Sequence, residues 1–552
     1  MVRMKNSTGK PNIVVLMVDD LRADCVCASG DRRFVEKYRC ADLLETPAMD
    51  SLAETGVYFT QAMTCASNTP PSVAAMFTGC RGPVNGVRSL FGGPKNPQVR
   101  TLWEHLSAAG YDTAACDPHG FSEFNGTLDG CARVYHSNWF KERHTALLKT
   151  LSQDLKPPFA AYLHLWDVHV PYGATAYPYG LHKPFVHYLE RTLRDYFLME
   201  PNTALEHTDI EKLRETWMDI WHKHWNKGAC NPAEAQIPQY VQGVTAFDKG
   251  RLASILKGFE RFGMLDNTIL ILLADHGETV NYRLLSLEPL FQHSCLPNDG
   301  LMHIPFIINA PGILPSGKTI SQQVSTADLV PTLLDLCGVT PQPGHAMDGR
   351  SLLPLIRGED DSDSLAYCEH CAVAPQYLGP QFQNACMEAK SNLEFEWAVM
   401  YRTLRTPQYK YTEIGEPLTE RDRQAELHEF VRALCRKVML QWDDETELRK
   451  RMQAIESGDV TRETMLTNAA LHVRTAMYER LHDLQADPDE QVNLLGLDRE
   501  KYWPVARPLK EELDRIHRGT LVPQSEKTVF EEKTAGEVDA LAKHLRGLGY
   551  ID

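Results

Sequence analysis

The chain has 552 residues, too many for one compact domain of about 100–200 residues, and its 43% hydrophobic content is enough to bury a large core. A net charge of -16 excludes the electrostatic footprint of a nucleic-acid binder or of a protein held to anionic membrane surfaces. An anionic small molecule remains open as a partner, because a metal ion can reverse the sign locally.

The opening residues Met1 to Asn6 carry no apolar leader, and no apolar run is long enough to cross a bilayer. Neither a signal segment nor a membrane span is therefore expected. Fourteen cysteines occur without disulfide or zinc-finger spacing, which fits free thiols in a reducing, cytoplasmic compartment. The one CxxC, Cys368 to Cys371, reads as an incidental pair in a loop.

In chain order, Ile13 to Val18 is a continuous apolar, β-branched run, the pattern of a strand buried on both faces of a parallel sheet. It ends in Asp19 and Asp20, two carboxylates that repel each other unless a cation lies between them; a solvated turn would explain the pair equally. Thr46 to Gly56 reads as a short helix with a glycine stop, followed by a strand from Val57 to Thr60. In Ser67 to Gly79 two prolines precede an apolar run. Proline suits the entry of a helix, so Ser72 is expected to cap a helix over Ala74 to Thr78, with Gly79 ending it. Thr69 then sits beside a helix N-terminus, where anions are favoured, and its hydroxyl is a candidate nucleophile toward a phosphate or sulfate ester. An ordinary helix cap is the plainer alternative.

Thr101 to Gly110, followed by Tyr111 to Ala115, repeats the helix–glycine–strand rhythm of a doubly wound sheet. Phe159 to Trp166 is a further strand, leading into Asp167 and His169. His164, inside the apolar run, reads as a core histidine, and His169 in the turn as the better site candidate. From about 184 to 240 the rhythm breaks; Leu213, Trp217, Trp221 and Trp225 form one helical stripe of an inserted helical segment. Phe247 to Phe262 is an amphipathic helix. Thr268 to Leu273 is a second buried strand, ending in Asp275, His276 and Glu278; an Asp and a His at a strand terminus can both reach one ion. His293 lies in a loop before the strand His303 to Asn309, and Ala327 to Gly338 is a helix with a glycine stop. Beyond about Gly358 short strands at Trp397 to Tyr401 and Tyr409 to Tyr411 mix with charged helices between about 421 and 475. The stretch 535–548 is an amphipathic helix whose apolar face, Val538, Leu541, Ala542 and Leu545, needs a partner surface and leaves a homo-oligomer open.

Nearly end to end, these residues resemble the sulfatase-like branch of the alkaline phosphatase superfamily. Asn12 to Asp24 resembles its first metal strand, Thr69 to Gly79 its nucleophile motif, His164 to Tyr172 its central His/Asp motif and Ala274 to Glu278 its second metal strand. Its later landmarks are resembled by His303 to Gly312, Asp348 to Pro354, Tyr409 to Tyr411 and Leu481 to Pro488. The resemblance implies an α/β fold, an alkaline-phosphatase-like α/β/α sandwich with a mostly parallel central sheet, over residues 1–370. It adds a smaller C-terminal α+β domain over 371–552. Sulfatases of this pattern carry Cys or Ser, any residue, Pro, Ser and Arg, and oxidise the first residue to formylglycine. Here the positions hold Thr69, Pro70, Pro71, Ser72 and Val73, so a threonine stands where formylglycine would form and the arginine is absent. A threonine nucleophile is how phosphodiesterase and phosphotransferase members of the superfamily work. The resemblance therefore implies a hydrolase cleaving a phosphodiester or phosphonate monoester through Thr69. The alternatives are a sulfuric ester hydrolase without formylglycine and a non-catalytic binding protein on the same fold. It further implies one divalent cation, Mn, Zn or Ca, held by Asp19, Asp20, Thr69, Asp275 and His276. His169 and His293 would act on the leaving group or the non-bridging oxygens, with Arg22 as a charge clamp or a structural ion pair and Asp167 orienting His169 or serving a second metal. The partner is a small-molecule phosphate, phosphonate or sulfate ester.

Overall fold

The computed structural model describes residues 9–88, 94–117, 122, 125–135, 144–169, 172, 233–265, 267–282, 289–292, 297–371, 400–415, 479–490 and 492–519. His293, the stripe from Leu213 to Trp225, the helices expected between 421 and 475 and the segment 535–548 lie outside the described residues.

Among the described residues fifteen strands are formed. In chain order they are β1 (Asn12–Val18), β2 (Val57–Met63), β3 (Asp112–Cys116), β4 (Arg133–Tyr135), β5 (Phe159–Leu165), β6 (Thr268–Ala274), β7 (Thr279–Tyr282), β8 (Pro289–Gln292), β9 (His303–Asn309), β10 (Lys318–Ile320), β11 (Val324–Ser325), β12 (Ala366–Cys371), β13 (Met400–Arg405), β14 (Tyr409–Gly415) and β15 (Glu479–Asp483). Nine of them make the main sheet in the order β10-β2-β9-β6-β1-β5-β3-β4, with β11 alongside β2. β1 is central, parallel to β5 on one side and β6 on the other. All seven residues of β1, β5 and β6 are buried, which is why each reads as an unbroken apolar run rather than an alternating one. β9 runs antiparallel to both β6 and β2, so the sheet is mostly, not wholly, parallel.

The second sheet, β12-β13-β14-β15, is antiparallel throughout. The helix Arg499–Arg518 lays Ala506, Leu513 and Ile516 on it, against Tyr367, Leu404, Tyr411 and Leu481. This sheet opens at Ala366, a few residues ahead of the 370/371 division. The Cys368-to-Cys371 segment is thus a strand and not the expected loop. Nine cysteines among the described residues are free thiols, and no helix among them is long and apolar enough to cross a membrane.

The two sheets are joined by buried charge. Asp299 accepts from Arg405 Nη2 at 3.0 Å and from Lys410 Nζ at 3.1 Å, and Lys410 also pairs with Glu490. The Lys410 side chain is fully buried. Removing one partner of such a cluster strands a buried charge, at a cost of about 3–5 kcal/mol. We expect Lys410→Met to lower unfolding stability by that amount in chemical denaturation; a midpoint equal to wild type would show that the cluster does not hold the joint.

Candidate active site

Parallel strands deliver their carboxyl ends to one edge of the sheet, where open α/β folds place ligands. Val18 of β1 stands level with Ala274 of β6 and Leu165 of β5. The next residues, Asp19 and Asp275, therefore emerge side by side. Asp20 takes a left-handed backbone, φ 68°, and its N–H donates to Asp275 Oδ1 at 3.2 Å. The same oxygen accepts the His276 N–H at 2.9 Å.

His276 is oriented by its own surroundings. Its Nδ1 lies 3.0 Å from the Gly277 carbonyl, which fits an Nδ1–H donor and leaves the Nε2 lone pair facing the site. Around that Nε2 stand Thr69 Oγ1 at 3.3 Å, Asp275 Oδ2 at 3.4 Å and Asp19 Oδ1 at 4.0 Å. Ligand atoms of Asp19, Asp275 and His276 lie within 4.8 Å of one another, and all three residues are buried. Asp20 presents its carboxylate to the other edge of the ring, 3.5 Å from Nδ1. Asp19 Oδ1 and Asp275 Oδ2 are buried oxygens without a hydrogen-bond partner, an arrangement that costs free energy unless a cation answers it. The donor set, carboxylate oxygens and one imidazole, suits a divalent ion.

The charges are spread unevenly. Burial would raise the Asp19 carboxyl, but its bond to His164 and the charges of His169, His164 and His276 outweigh it and hold Asp19 well below the usual range. Burial, with the Asp19 charge added, pushes Asp275 up to about 6. His164 is the reverse case. Burial would lower it, but Asp117 and Asp19 raise it to about 10. Its Nε2 sits 2.8 Å from Asp19 Oδ2 and its Nδ1 3.8 Å from Asp117 Oδ1. The histidine read as a core residue is buried, yet it braces a candidate ligand. Asp117 was not singled out in the sequence, although it follows β3 as Asp19 follows β1 and Asp275 follows β6.

Thr69 is the first residue of the helix Thr69–Thr78, not a residue ahead of it. The helix starts three residues before the expected cap, because Pro70 and Pro71 occupy its first turn, where no N–H is needed. Ser72 does not cap it. Its hydroxyl donates to the Asp275 carbonyl at 2.6 Å and meets Thr64 Oγ1 at 2.8 Å. Gly79 closes the helix at φ 67° as expected. Val73 is fully buried in the core.

The remaining candidates take separate places. His169 is buried, its ring 4.6 Å from that of Trp166, and close enough to favour the charged form of Asp19. Asp167 is ion-paired to Arg251 Nε at 2.5 Å. Arg22 is held by Asp24 at 2.8 and 2.6 Å and by the Glu278 carbonyl, over the face of Phe34. Its guanidinium is thus used in the structural ion pair that the sequence left open. Tyr240, unremarked in the sequence, donates to the Asp20 carbonyl at 2.8 Å and accepts the Arg22 N–H at 3.0 Å.

The chain is similar to known proteins over most of its length. The family model described as Sulfatase matches residues 11–339. An ulvan-active sulfatase of Formosa agariphila is 25% identical over 426 residues, 75% of this chain and 75% of its own length. A Delta 4,5-hexuronate-2-O-sulfatase of Bacteroides thetaiotaomicron is 26% identical, covering 73% of this chain and 80% of its own. Among solved structures, one determined in complex with D-glucosamine-2-N,6-O-disulfate aligns with a TM-score of 0.59 at 17% identity, covering 94% of this chain and 100% of that one. The phosphonate monoester hydrolase of Agrobacterium radiobacter aligns at 0.56 and 17% identity, over 93% and 96%.

Proposed function

Because the chain belongs to the sulfatase family, whose members hydrolyse ester bonds, we propose that it cleaves a phosphodiester or phosphonate monoester with Thr69 as nucleophile. One observation carries the reading: a threonine hydroxyl, at the first position of a buried helix, faces His276 Nε2 and the Asp19–Asp275 pair. Asp19, Asp275 and His276 would hold a divalent cation, with Thr69 facing it and Asp20 beside them. When bound, that ion supplies positive charge that lowers the Thr69 hydroxyl pKa and polarises the ester oxygen.

Thr69 Oγ1 releases its proton to solvent and attacks the phosphorus in line, forming a threonine phosphoester as the bond to the leaving oxygen breaks, and regains a proton from solvent when water cleaves that ester. His169 donates a proton to that oxygen and then draws one from the water that cleaves the intermediate. His164, between Asp19 and Asp117, keeps Asp19 ionised and aimed. Threonine has no route to an aldehyde hydrate, so release by elimination from a geminal diol is closed to it and water must attack the central atom.

A sulfuric ester is the second reading, favoured by the relatives named as sulfatases. The test is an aryl phosphodiester and an aryl phosphonate monoester against an aryl sulfate with the same leaving group. We expect kcat/KM for a phosphorus substrate to exceed that for the sulfate by at least about tenfold, which is ~1.4 kcal/mol of transition-state preference. Turnover of the sulfate alone would reverse the assignment.

A further inference from the structure

The turn that presents Thr69 is pinned from both sides, and one side belongs to the second sheet. Toward β6, Ser72 donates to the Asp275 carbonyl. Toward β12, the Glu369 N–H donates to the Cys65 carbonyl at 3.1 Å, and Ala66 pairs with Glu369 as an isolated parallel bridge. His370 Nδ1 lies 2.8 Å from Ser67 Oγ, with both residues buried. The Glu369 side chain is fixed in turn: Oε1 accepts from Arg88 Nε at 2.9 Å and Oε2 accepts the Tyr367 hydroxyl at 2.6 Å. A Cβ on Gly82 would meet Glu369 Oε1 at 1.9 Å, so the carboxylate lies directly on that backbone. The His370 ring faces Tyr401, with centroids 6.4 Å apart and planes at 22°. Burial pushes the imidazole down to about 3, so it stays neutral and the Ser67 contact is an ordinary hydrogen bond.

From these contacts we infer that β12 sets the aim of Thr69, with His370 as a positioning residue that acts through Ser67. The inference rests on Thr69 being the nucleophile. At the first position of a helix the side chain's direction is not fixed by a preceding helical turn. It depends on the backbone of residues 65–68, and that segment is tied at Cys65, Ala66 and Ser67 to one strand. A nucleophile displaced by about 1 Å loses on the order of 100-fold in rate. The Cys368-to-Cys371 motif thus works through the histidine inside it; Cys368 itself is packed with Met63, Met302 and Ala366.

The experiment uses the full chain and whichever aryl ester it turns over. Ser67→Ala and His370→Phe each delete the hydrogen bond, the second keeping ring volume against Tyr401. His370→Asn returns a polar atom near the Nδ1 position. We expect kcat to fall on the order of 10- to 100-fold in each deletion variant, with KM, bound-metal content and melting temperature near wild type. The double variant should lose no more than either single one, because both remove the same bond, and His370→Asn should recover most of the rate. Wild-type kcat in Ser67→Ala, additive losses in the double variant, or losses that follow metal content would each overturn the inference. Should His370→Phe fail to fold, Ser67→Ala decides alone. Thr69→Ala separates the two readings: activity retained there removes the nucleophile assignment and this inference with it. An inactive Thr69→Ala beside fully active Ser67→Ala and His370 variants removes only this inference.

Discussion

Thr69→Ala should lose at least about 10³-fold in kcat, the scale on which a nucleophile knockout falls toward the residual effects of binding and electrostatics. The substitution deletes the hydroxyl that faces His276 Nε2 at 3.3 Å. It leaves the helix start intact, since alanine is a good helix former and the side chain of Asn68 makes no cap there. Stability should therefore move little while activity collapses. Thr69→Ser keeps the oxygen and drops one methyl, and is expected to retain measurable turnover. In the resting wild-type enzyme, mass spectrometry of the peptide holding Thr69 should return an unmodified threonine. During turnover of a phosphorus ester under rapid quench, a mass increase corresponding to the phosphoester should appear on it. Full activity in Thr69→Ala would dismiss the threonine mechanism.

The second large effect concerns the ion. Asp275→Asn keeps a carbonyl oxygen to accept from the Asp20 and His276 N–H groups and replaces the unpaired Oδ2 with an NH₂ group that repels a cation. Asp19→Asn does the same beside His164. Each should bind a divalent ion more than about 100-fold more weakly than wild type, beyond the 10- to 100-fold typical of groups behind the ligands, with elemental analysis as the readout. In the metal-free protein Asp275→Asn should be no less stable than wild type, because it removes a charge that burial and Asp19 disfavour, whereas Asp19→Asn should be less stable, because it takes from His164 the carboxylate at 2.8 Å that holds it charged. Full metal occupancy in both would remove Asp19 and Asp275 from the proposed ligand set.

What could be read from the sequence was local. β1 and β6 are legible because strands buried on both faces need continuous apolar runs, and the polar residues after Val18 and Ala274 mark their ends. The helix stop at Gly79 is legible because only glycine is at ease with the φ of 67° found there. The reading failed where a contact joins distant residues. His164 meets Asp19 across 145 positions, and the pairing depends on β5 lying beside β1, which no short pattern encodes. Asp117 is legible in the same terms, because the strand pattern from Tyr111 to Ala115 runs on to an acid two residues later, at the strand's end. Ser72 was misjudged because serine is a strong cap, whereas here its hydroxyl reaches a carbonyl on another strand. The antiparallel course of β9 has no sequence signature, since a buried strand reads alike in either direction.

The left-handed backbone of Asp20 bears on how this protein can change. An L-residue held at φ 68° carries a standing strain of roughly 1 kcal/mol that glycine would relieve. Selection for thermal robustness alone would thus favour glycine at position 20, removing a carboxylate from beside His276. If Asp20 serves the proposed reaction, stability and chemistry pull in opposite directions at that residue. A stabilised form of this protein obtained by unbiased screening is therefore more informative at position 20 than at any core position. A glycine there together with lost turnover would show that the fold had been improved at the expense of the reaction.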